Sequence, residues 1–238
     1  MLTFDPPLVE GRLERRYKRF LADVRLDDGE RVTAHCPNTG SMLGCDVPGS
    51  RVWLSRSADP RRKLAWTWEL VEASPGVVVG IHTGRSNRLV EAAVGAGRVP
   101  ELAGYGRLRR EVRYGRERSR IDLLLEDHPE RPDCFVEVKN VTAAVSDGVA
   151  LFPDAVTTRG VKHLRELAVV AAEGRRAVIL FCVQRGDVTE VRPADAIDPE
   201  YGRTLRQVLE RGVEALAYAA SPDATGISLE RPLPVVCP

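Results

Sequence analysis

The chain has 238 residues, and its 35 basic and 34 acidic side chains leave a formal net charge of +1. This balance excludes a protein that binds polyanions through bulk charge, so any anion-binding surface has to come from local clusters. No run of 18 apolar residues occurs, and residues 1–20 lack the apolar core of a signal peptide. Five scattered cysteines favour a reducing compartment over a disulfide framework, so we expect a cytoplasmic protein.

The first third of the chain predicts a small β-barrel. About five short strands within 80 residues are typical of a closed OB-type barrel, which binds single strands or oligosaccharides on one face. Trp66 and Trp68 share a strand face, where they either stack on bases or belong to the core. We therefore assign residues 1–82 to an OB-like domain. The predicted strands, separated by turns rich in Gly, Pro, Asn and Asp, are 19–25, 31–35, 51–54, 65–72 and 77–82.

From residue 83 onward, predicted helices alternate with strands. This order is typical of an α/β domain, and we expect a mixed sheet in a second domain of residues 83–238. The predicted strand of residues 177–184 is apolar enough to be buried on both faces. The predicted helices are 87–94, 158–172 and 199–216, and the predicted strands are 109–114, 120–126, 134–141 and 177–184.

Two Arg-rich clusters are candidate phosphate-binding surfaces. Residues 12–19 carry a local charge of +4, and residues 107–120 carry +5. The alternative for each cluster is a solvated face without a ligand. The helix predicted at 158–172 adds basic residues and free N–H groups in its first turns, which suit phosphate. The predicted nucleic-acid contacts are Arg15, Arg16, Lys18, Arg19, Arg118, Arg120, Arg159 and Lys162.

Acidic residues on neighbouring strands form the candidate catalytic site. Asp122 lies near the start of an apolar strand, where a carboxylate is costly unless it is paired or holds a metal. Glu137 and Lys139 are two residues apart, so both project from the same face of the next strand. The turn at Gly115 predicts a hairpin that brings Glu111 beside Asp122, which makes Glu111 a candidate for an additional acid.

This set suits metal-dependent cleavage of phosphodiester bonds. Magnesium or manganese bound by Asp122 and Glu137 would offset charge on the scissile phosphate and activate water. Lys139 would steady the hydroxide and the developing negative charge. An acid on one strand followed by Glu-x-Lys on the next is the arrangement of the PD-(D/E)xK nucleases. The alternative is a surface salt bridge between Glu137 and Lys139 on a half-exposed strand.

The loop of residues 35–42 is a candidate for contact with the cleft between the domains. It carries His35, Asn38 and Ser41 among small polar residues. The alternative is a tight turn in which Asn38 and Ser41 satisfy backbone groups. The spacing of its His and Cys residues argues against a zinc site.

Four long stretches of the chain match a known family in order: RYKRFLADV (16–24), HCPNTGSM (35–42), RPDCFVEVKNVT (131–142) and FPDAVTTRGVKHLREL (152–167). The sequence resembles, nearly end to end, the sugar fermentation stimulation protein A family of bacteria and archaea. This resemblance implies an N-terminal OB-fold-like domain and a C-terminal PD-(D/E)xK nuclease-like domain. It also implies non-specific DNA binding, a metal held by Asp122 and Glu137, and Lys139 as the catalytic lysine.

We therefore predict a non-specific DNA-binding protein with a metal-dependent phosphodiester-cleaving site. A non-catalytic DNA-binding regulator of sugar (maltose) metabolism and an oligosaccharide or small-ligand binder on the barrel face remain as alternatives. Two carboxylates clustered where phosphates must approach favour the enzyme, because without a metal they would repel nucleic acid. The two Arg clusters argue against the sugar binder, which does not require them.

Overall fold

Strands near the N-terminus close into a barrel. The computed structural model describes residues 1–115, 119–145 and 148–238. Strands β2 to β6 form a ring in the order β4-β3-β2-β5-β6, closed by parallel pairing of β4 with β6, and β7 extends β6. The predicted OB-like barrel is confirmed. The first seven strands are β1 (Leu2–Thr3), β2 (Val9–Tyr17), β3 (Leu21–Leu26), β4 (Arg31–His35), β5 (Arg51–Arg56), β6 (Trp66–Ser74) and β7 (Val77–Gly80).

The barrel core shows where the two tryptophans lie, and it includes β2, a strand that the sequence did not predict. Trp68 is fully buried, and its indole N–H donates to the Leu70 carbonyl at 2.8 Å, whereas Trp66 is only half-buried. Strand β2 lies inside the basic cluster of residues 12–19. Its inward positions are Gly11 and Leu13, and the charged residues between and after them concealed this two-residue period.

The second domain is built on a mixed sheet, as predicted. Strands β10, β13 and β15 run parallel at its centre, and the other pairings are antiparallel. The sheet order is β1-β16-β15-β13-β10-β9-β8, and β11, β12 and β14 form a small separate sheet. The elements are α1 (Ser86–Gly95), β8 (Arg107–Tyr114), β9 (Ser119–Glu126), β10 (Cys134–Val141), β11 (Ala144–Val145), β12 (Val149–Phe152), α2 (Thr158–Ala172), β13 (Arg176–Val183), β14 (Glu190–Pro193), α3 (Pro199–Leu209), β15 (Glu214–Asp223) and β16 (Gly226–Leu233).

Each face of this sheet buries a separate apolar core. On one face, Leu89 of α1 packs in a cluster with Val136 and Leu180. On the other face, Leu164 of α2 packs in a cluster with Phe135. Odd-numbered Phe135 and even-numbered Val136 thus point to opposite faces, as the alternation along β10 predicts. None of the helices among the described residues is long and apolar enough to cross a membrane.

Two expectations were wrong, one about where the last helix ends and one about which domain holds the first residues. The last helix was predicted to reach residue 216, but α3 ends at Leu209, and Gly212 adopts a φ of +88° before β15 begins. The apolar run VEALAYAA (213–220) is compatible with a helix, but most of it pairs in parallel with β13. In addition, residues 2–3, placed in the first domain, pair with β16 of the second sheet.

The two domains are joined by a continuous buried contact. Trp53 and Leu70 of the barrel belong to the same apolar cluster as Leu89 of the second domain. The Gly80 N–H donates to the Gln184 carbonyl at 2.8 Å. All five cysteines are free thiols.

Replacement of Gly80 tests how tightly the domains are joined. A Cβ atom there would lie 2.4 Å from Oε1 of the fully buried Gln184. We expect Gly80→Ala to lower the free energy of unfolding by about 1–3 kcal/mol, because Gln184 has to move in a packed interior. The control is Gly95→Ala at the end of α1, where a Cβ meets nothing within 4 Å and stability should hold or rise. Equal effects of the two substitutions in urea denaturation would contradict this account.

Candidate active site

The site is formed where strands β9 and β10 separate. The last residue pair of their antiparallel ladder is Leu123 with Val136, so the pairing stops one residue short of Asp122 and Glu137. Beyond that point, Oδ2 of Asp122 accepts the backbone N–H of Val138 at 2.7 Å. The side chain of Asp122 thus takes over a hydrogen bond that the diverging strand no longer provides. This arrangement brings the two predicted metal ligands, Asp122 and Glu137, to the opening between the strands.

The alternation of side chains along β9 changes at the same residue. Leu123 packs in the cluster beneath α1, whereas Ile121 packs in the cluster beneath α2, so the strand changes faces at Asp122. In β8, Glu111 lies between the paired residues Arg110 and Val112, is not itself paired in the register with β9, and has a φ of +55°. The side chain of Glu111 is exposed, whereas Asp122 is partly buried and Glu137 is buried. The buried pair therefore consists of Asp122 and Glu137, and the additional acid predicted at Glu111 lies outside it.

Two nitrogen donors form hydrogen bonds with the same carboxylate oxygen of Glu137. Its side chain is 3% exposed, and Oε1 accepts Lys139 Nζ at 2.7 Å and a short hydrogen bond from His163 Nδ1. Arg159 donates from Nε to His163 Nε2 at 3.3 Å, so we assign the Nδ1 proton to the bond with Glu137. The other oxygen, Oε2, is buried without a hydrogen-bond partner among the described residues.

The pKa values of the two acids move in opposite directions. Burial and the nearby Glu137 carboxylate raise the pKa of Asp122 to about 6, although the Val138 N–H and Asn87 favour its ionised form. Burial alone would raise the pKa of Glu137, but His163 and Lys139 outweigh burial and hold that pKa below its ordinary value. The site therefore keeps one firmly ionised carboxylate next to one that is costly to ionise, which is an environment that favours an added cation.

A polar network at the start of α1 supports Asp122. Asn87 donates from Nδ2 to Asp122 Oδ1 at 2.8 Å. Its neighbour Ser86 donates to Asn140 Oδ1 at 2.7 Å, and Gln184 also donates to that oxygen. Asn87 was not predicted as a site residue, since a polar residue at a helix start is usually a capping residue. His163 was not predicted either, because helical spacing alone does not show which strand a histidine faces.

A cavity of about 310 Å³ lies beside these residues, between the barrel and the second domain. Lys139 lines it from β10, and Asn38 lines it from the loop of residues 35–42. That loop also contacts the second domain, since Oδ2 of Asp154 accepts the Met42 N–H at 3.1 Å and the Ser41 hydroxyl at 3.4 Å. His35 instead pairs with β6 where the barrel closes.

The basic residues of the barrel have different surroundings. Arg16 has a side chain only 9% exposed, and its guanidinium donates to the carbonyls of Asn38 and Gly40, so it braces the loop rather than facing solvent. Arg15 is exposed and paired with Asp23 at 2.8 Å. Lys18 and Arg19 form the exposed turn between β2 and β3, and Arg19 lines the cavity.

The basic residues of the second domain lie on two elements. Arg120 is exposed and faces the exposed Arg113 across the β8–β9 hairpin. Arg159 is exposed in the first turn of α2, and Lys162 is half-buried in the same helix. Arg118 lies outside the described residues. The structure therefore brings Arg159, but not the barrel residue Arg15, into hydrogen-bonded connection with Glu137 through His163.

The carboxylates fit a hard divalent cation. Asp122 and Glu137 offer oxygen donors, and the buried Oε2 of Glu137 has no hydrogen-bond partner among the described residues. Among residues 1–115, 119–145 and 148–238, no group of three His, Cys, Asp or Glu side chains could surround a metal. Magnesium needs only one or two protein carboxylates, because it retains several waters. The donor set is thus compatible with magnesium or manganese and not with a dedicated all-protein cage.

Comparisons with known proteins agree with this architecture. The model of the SfsA N-terminal OB domain matches residues 15–81, and that of the sugar fermentation stimulation protein RE domain matches residues 84–226. Sugar fermentation stimulation protein homologs from Alkalilimnicola ehrlichii and Thioalkalivibrio sulfidiphilus are each 64% identical, over 100% and 98% of both chains respectively. A solved structure of Pyrococcus furiosus SfsA in complex with Ca²⁺ has a TM-score of 0.87 and 28% identity, covering 99% of each chain.

The raised pKa of Asp122 predicts a stability that depends on pH. The ionised carboxylate destabilises the fold above pH 6, and this cost disappears as pH falls toward the unfolded value of 3.8. In metal-free buffer we expect Asp122→Asn, which keeps an acceptor for the Val138 N–H, to be more stable than wild type by about 1–3 kcal/mol at pH 7.5. Urea denaturation should show this difference shrinking between pH 6 and pH 4. A difference that stays constant with pH would contradict the assignment.

Because His163 donates a hydrogen bond to Glu137, we expect substitution of His163 to destabilise the fold more than substitution of the exposed Arg165 in the same helix. We expect His163→Leu to lower the free energy of unfolding by about 2–3 kcal/mol, since it removes a partner of a buried carboxylate. His163→Asn should recover part of the loss, because its amide can replace the Nδ1 donor. Arg165→Ala is the control, as its pair with Glu200 is exposed and should contribute less than about 0.5 kcal/mol. Similar losses for His163→Leu and Arg165→Ala in denaturation curves would refute this assignment.

Proposed function

The chain belongs to the sugar fermentation stimulation protein family, and we propose that it binds nucleic acid and cleaves phosphodiester bonds with a divalent metal ion. The observation that carries the proposal is the meeting of Asp122, Glu137 and Lys139 where β9 and β10 separate, with the buried Oε2 of Glu137 left without a hydrogen-bond partner among the described residues. A purely structural salt bridge would not require a second carboxylate with a raised pKa at the same opening.

Each residue has a distinct task in this proposal. Asp122 and Glu137 would hold the metal ion, which supplies charge neutralisation at the phosphate and activation of water. His163 occupies Oε1 of Glu137 and thereby leaves Oε2 as the oxygen that is available to a cation. Lys139 also contacts Oε1 and lines the cavity, so its ammonium group can face the negative charge that develops on the phosphate.

The known relative and the charge distribution support the proposal. The Pyrococcus furiosus protein, which shares the fold, was solved with Ca²⁺, a hard cation that prefers oxygen ligands. In this chain, Arg113 and Arg120 face each other across the hairpin, where two like charges repel. A bound phosphate would relieve that repulsion. The exposed arginines of the hairpin and of the barrel turn therefore supply the proposed contacts to the nucleic-acid backbone.

A non-catalytic DNA-binding regulator is the second candidate, and one observation favours it. Lys139 and His163 already compensate Oε1 of Glu137, and among the described residues no group of three His, Cys, Asp or Glu side chains could hold a metal, so the scaffold can exist without one. In that case affinity for DNA would fall with salt in proportion to the phosphates contacted, with no dependence on magnesium.

Substitution of Glu137 separates the two candidates. We expect wild-type protein to cleave a DNA or RNA substrate in Mg²⁺ or Mn²⁺, and Glu137→Gln to lose at least about 100-fold in rate while nucleic-acid affinity is retained. Thermal denaturation should show Ca²⁺ stabilising the wild type but not Glu137→Gln. The matched control is Glu126→Gln, which changes a half-buried acid of β9 paired with Arg109 outside the opening. Cleavage that survives in Glu137→Gln removes this site from the mechanism, and wild type without cleavage favours the regulator.

A further inference from the structure

We propose that the cavity between the two domains holds one unpaired nucleotide next to the scissile phosphate, so that the substrate is single-stranded or locally unpaired nucleic acid. This inference rests on the proposed function and names its substrate class. It starts from the position of the cavity, whose walls come from the loop of residues 35–42, the end of β10 and the segment before α2. Neither domain forms the cavity alone.

The cavity begins where the carboxylate site ends. Lys139 contacts Glu137 Oε1 at 2.7 Å and also lines the cavity, and the chain continues along the cavity wall to Thr142. Since a strand rises about 3.3 Å per residue, the near end of this wall at Lys139 lies about 7 Å along the chain from Glu137. A phosphate at the carboxylates would therefore place an adjoining nucleotide of the same strand beside these residues.

The size of the cavity indicates whether it takes a single nucleotide or a base pair. About 310 Å³ is at the lower end of the range for small-ligand pockets, which runs from roughly 300 to 1,000 Å³. This volume suits a single nucleotide and is too small for a base pair with both of its backbones. A base inside a duplex is stacked and cannot enter a pocket unless it leaves the helix. The nucleotide that fills the cavity must therefore be unpaired.

The walls offer the three kinds of contact that a nucleotide uses. Arg19 and Lys139 contribute positive charge, which suits phosphate. Asn38 and Asn140 also line the wall; their Oδ1 atoms already accept hydrogen bonds within the protein, which leaves their amide N–H groups as donors to a base edge. Phe152 supplies an apolar surface, and its ring is fixed by packing against Phe181 and Tyr201 at centroid distances of 5.6 and 5.2 Å. Base stacking on aromatic rings is the usual way of binding single strands without sequence preference.

The cavity is held open before any ligand binds. Asp154, on one wall, accepts the backbone N–H of Met42 from the opposite domain at 3.1 Å. Arg19 donates to the carbonyl of Thr39 at 2.8 Å, and Arg16 donates to the carbonyl of Gly40 at 2.8 Å. These bonds brace the loop of residues 35–42 against both domains. A ligand that enters a preformed cavity avoids the cost of ordering a flexible loop.

The test compares one sequence as a single strand and as a duplex. Fluorescence anisotropy measures binding of a labelled 15-nucleotide DNA and of its blunt duplex, in Ca²⁺ and at fixed salt. We expect wild type to bind the single strand at least 10-fold more tightly. Ala155→Trp fills the cavity and should reduce single-strand affinity at least 10-fold, with duplex affinity within twofold of wild type. Ala96→Trp, at an exposed position after α1, should change neither affinity.

The outcomes distinguish this inference from the proposed function. Equal wild-type affinity for both DNA forms would overturn the inference, as would full single-strand affinity in a folded Ala155→Trp protein or in the smaller Ala155→Leu variant. Displacement of the single strand by maltotriose would also overturn it, since the cavity would then be a sugar site. These binding measurements do not depend on cleavage. A strand preference that Ala155→Trp abolishes, in a protein that never cleaves in Mg²⁺, leaves the inference standing and removes only the nuclease.

Discussion

Glu137 is a buried carboxylate in the middle of a sheet, and the surrounding structure compensates its charge. Burial of an uncompensated ion costs several kcal/mol, so a side chain that is 3% exposed requires partners on the same face. Lys139 is supplied by the same strand, two residues later, and His163 is supplied by α2. The packing of α2 against β10 and β13 is therefore both a core contact and the means by which Glu137 remains ionised.

The second constraint is the separation of β9 from β10, which explains why the opening that holds Asp122 and Glu137 lies next to the cleft between the domains. Once the strands part, the Asp122 side chain replaces the backbone as partner of Val138. The far end of β10 is then free to face the barrel, and Asp154 ties the barrel loop to the second domain through Met42 and Ser41. The opening between β9 and β10 thus continues into a cavity that is lined by both domains.

Local pattern was sufficient for elements whose neighbours are close in the chain. Glu137 and Lys139 were predicted correctly to share a face, because the period of a strand is fixed. Strand β2 was missed because Arg12 and Arg15 occupy its outward positions and obscure the buried Leu13. Contacts between distant segments could not be predicted in the same way: nothing near residue 163 indicates a carboxylate 26 positions earlier. Similarly, the sequence shows that Arg16 is charged but not that the barrel loop surrounds it.

The choice between catalysis and simple binding depends on how the two oxygens of Glu137 differ. A carboxylate whose only role is to stabilise the fold is best served by donors at both oxygens, since a buried acceptor without a partner costs about 1–3 kcal/mol. Here both donors converge on Oε1, while Oε2 is buried without a hydrogen-bond partner among the described residues. Burial and the nearby Glu137 carboxylate raise the pKa of Asp122, which adds a second cost of the same sign. A divalent cation held by Asp122 and Glu137 would offset both costs at once, and this is why we favour the proposed enzyme over a scaffold that has lost its chemistry.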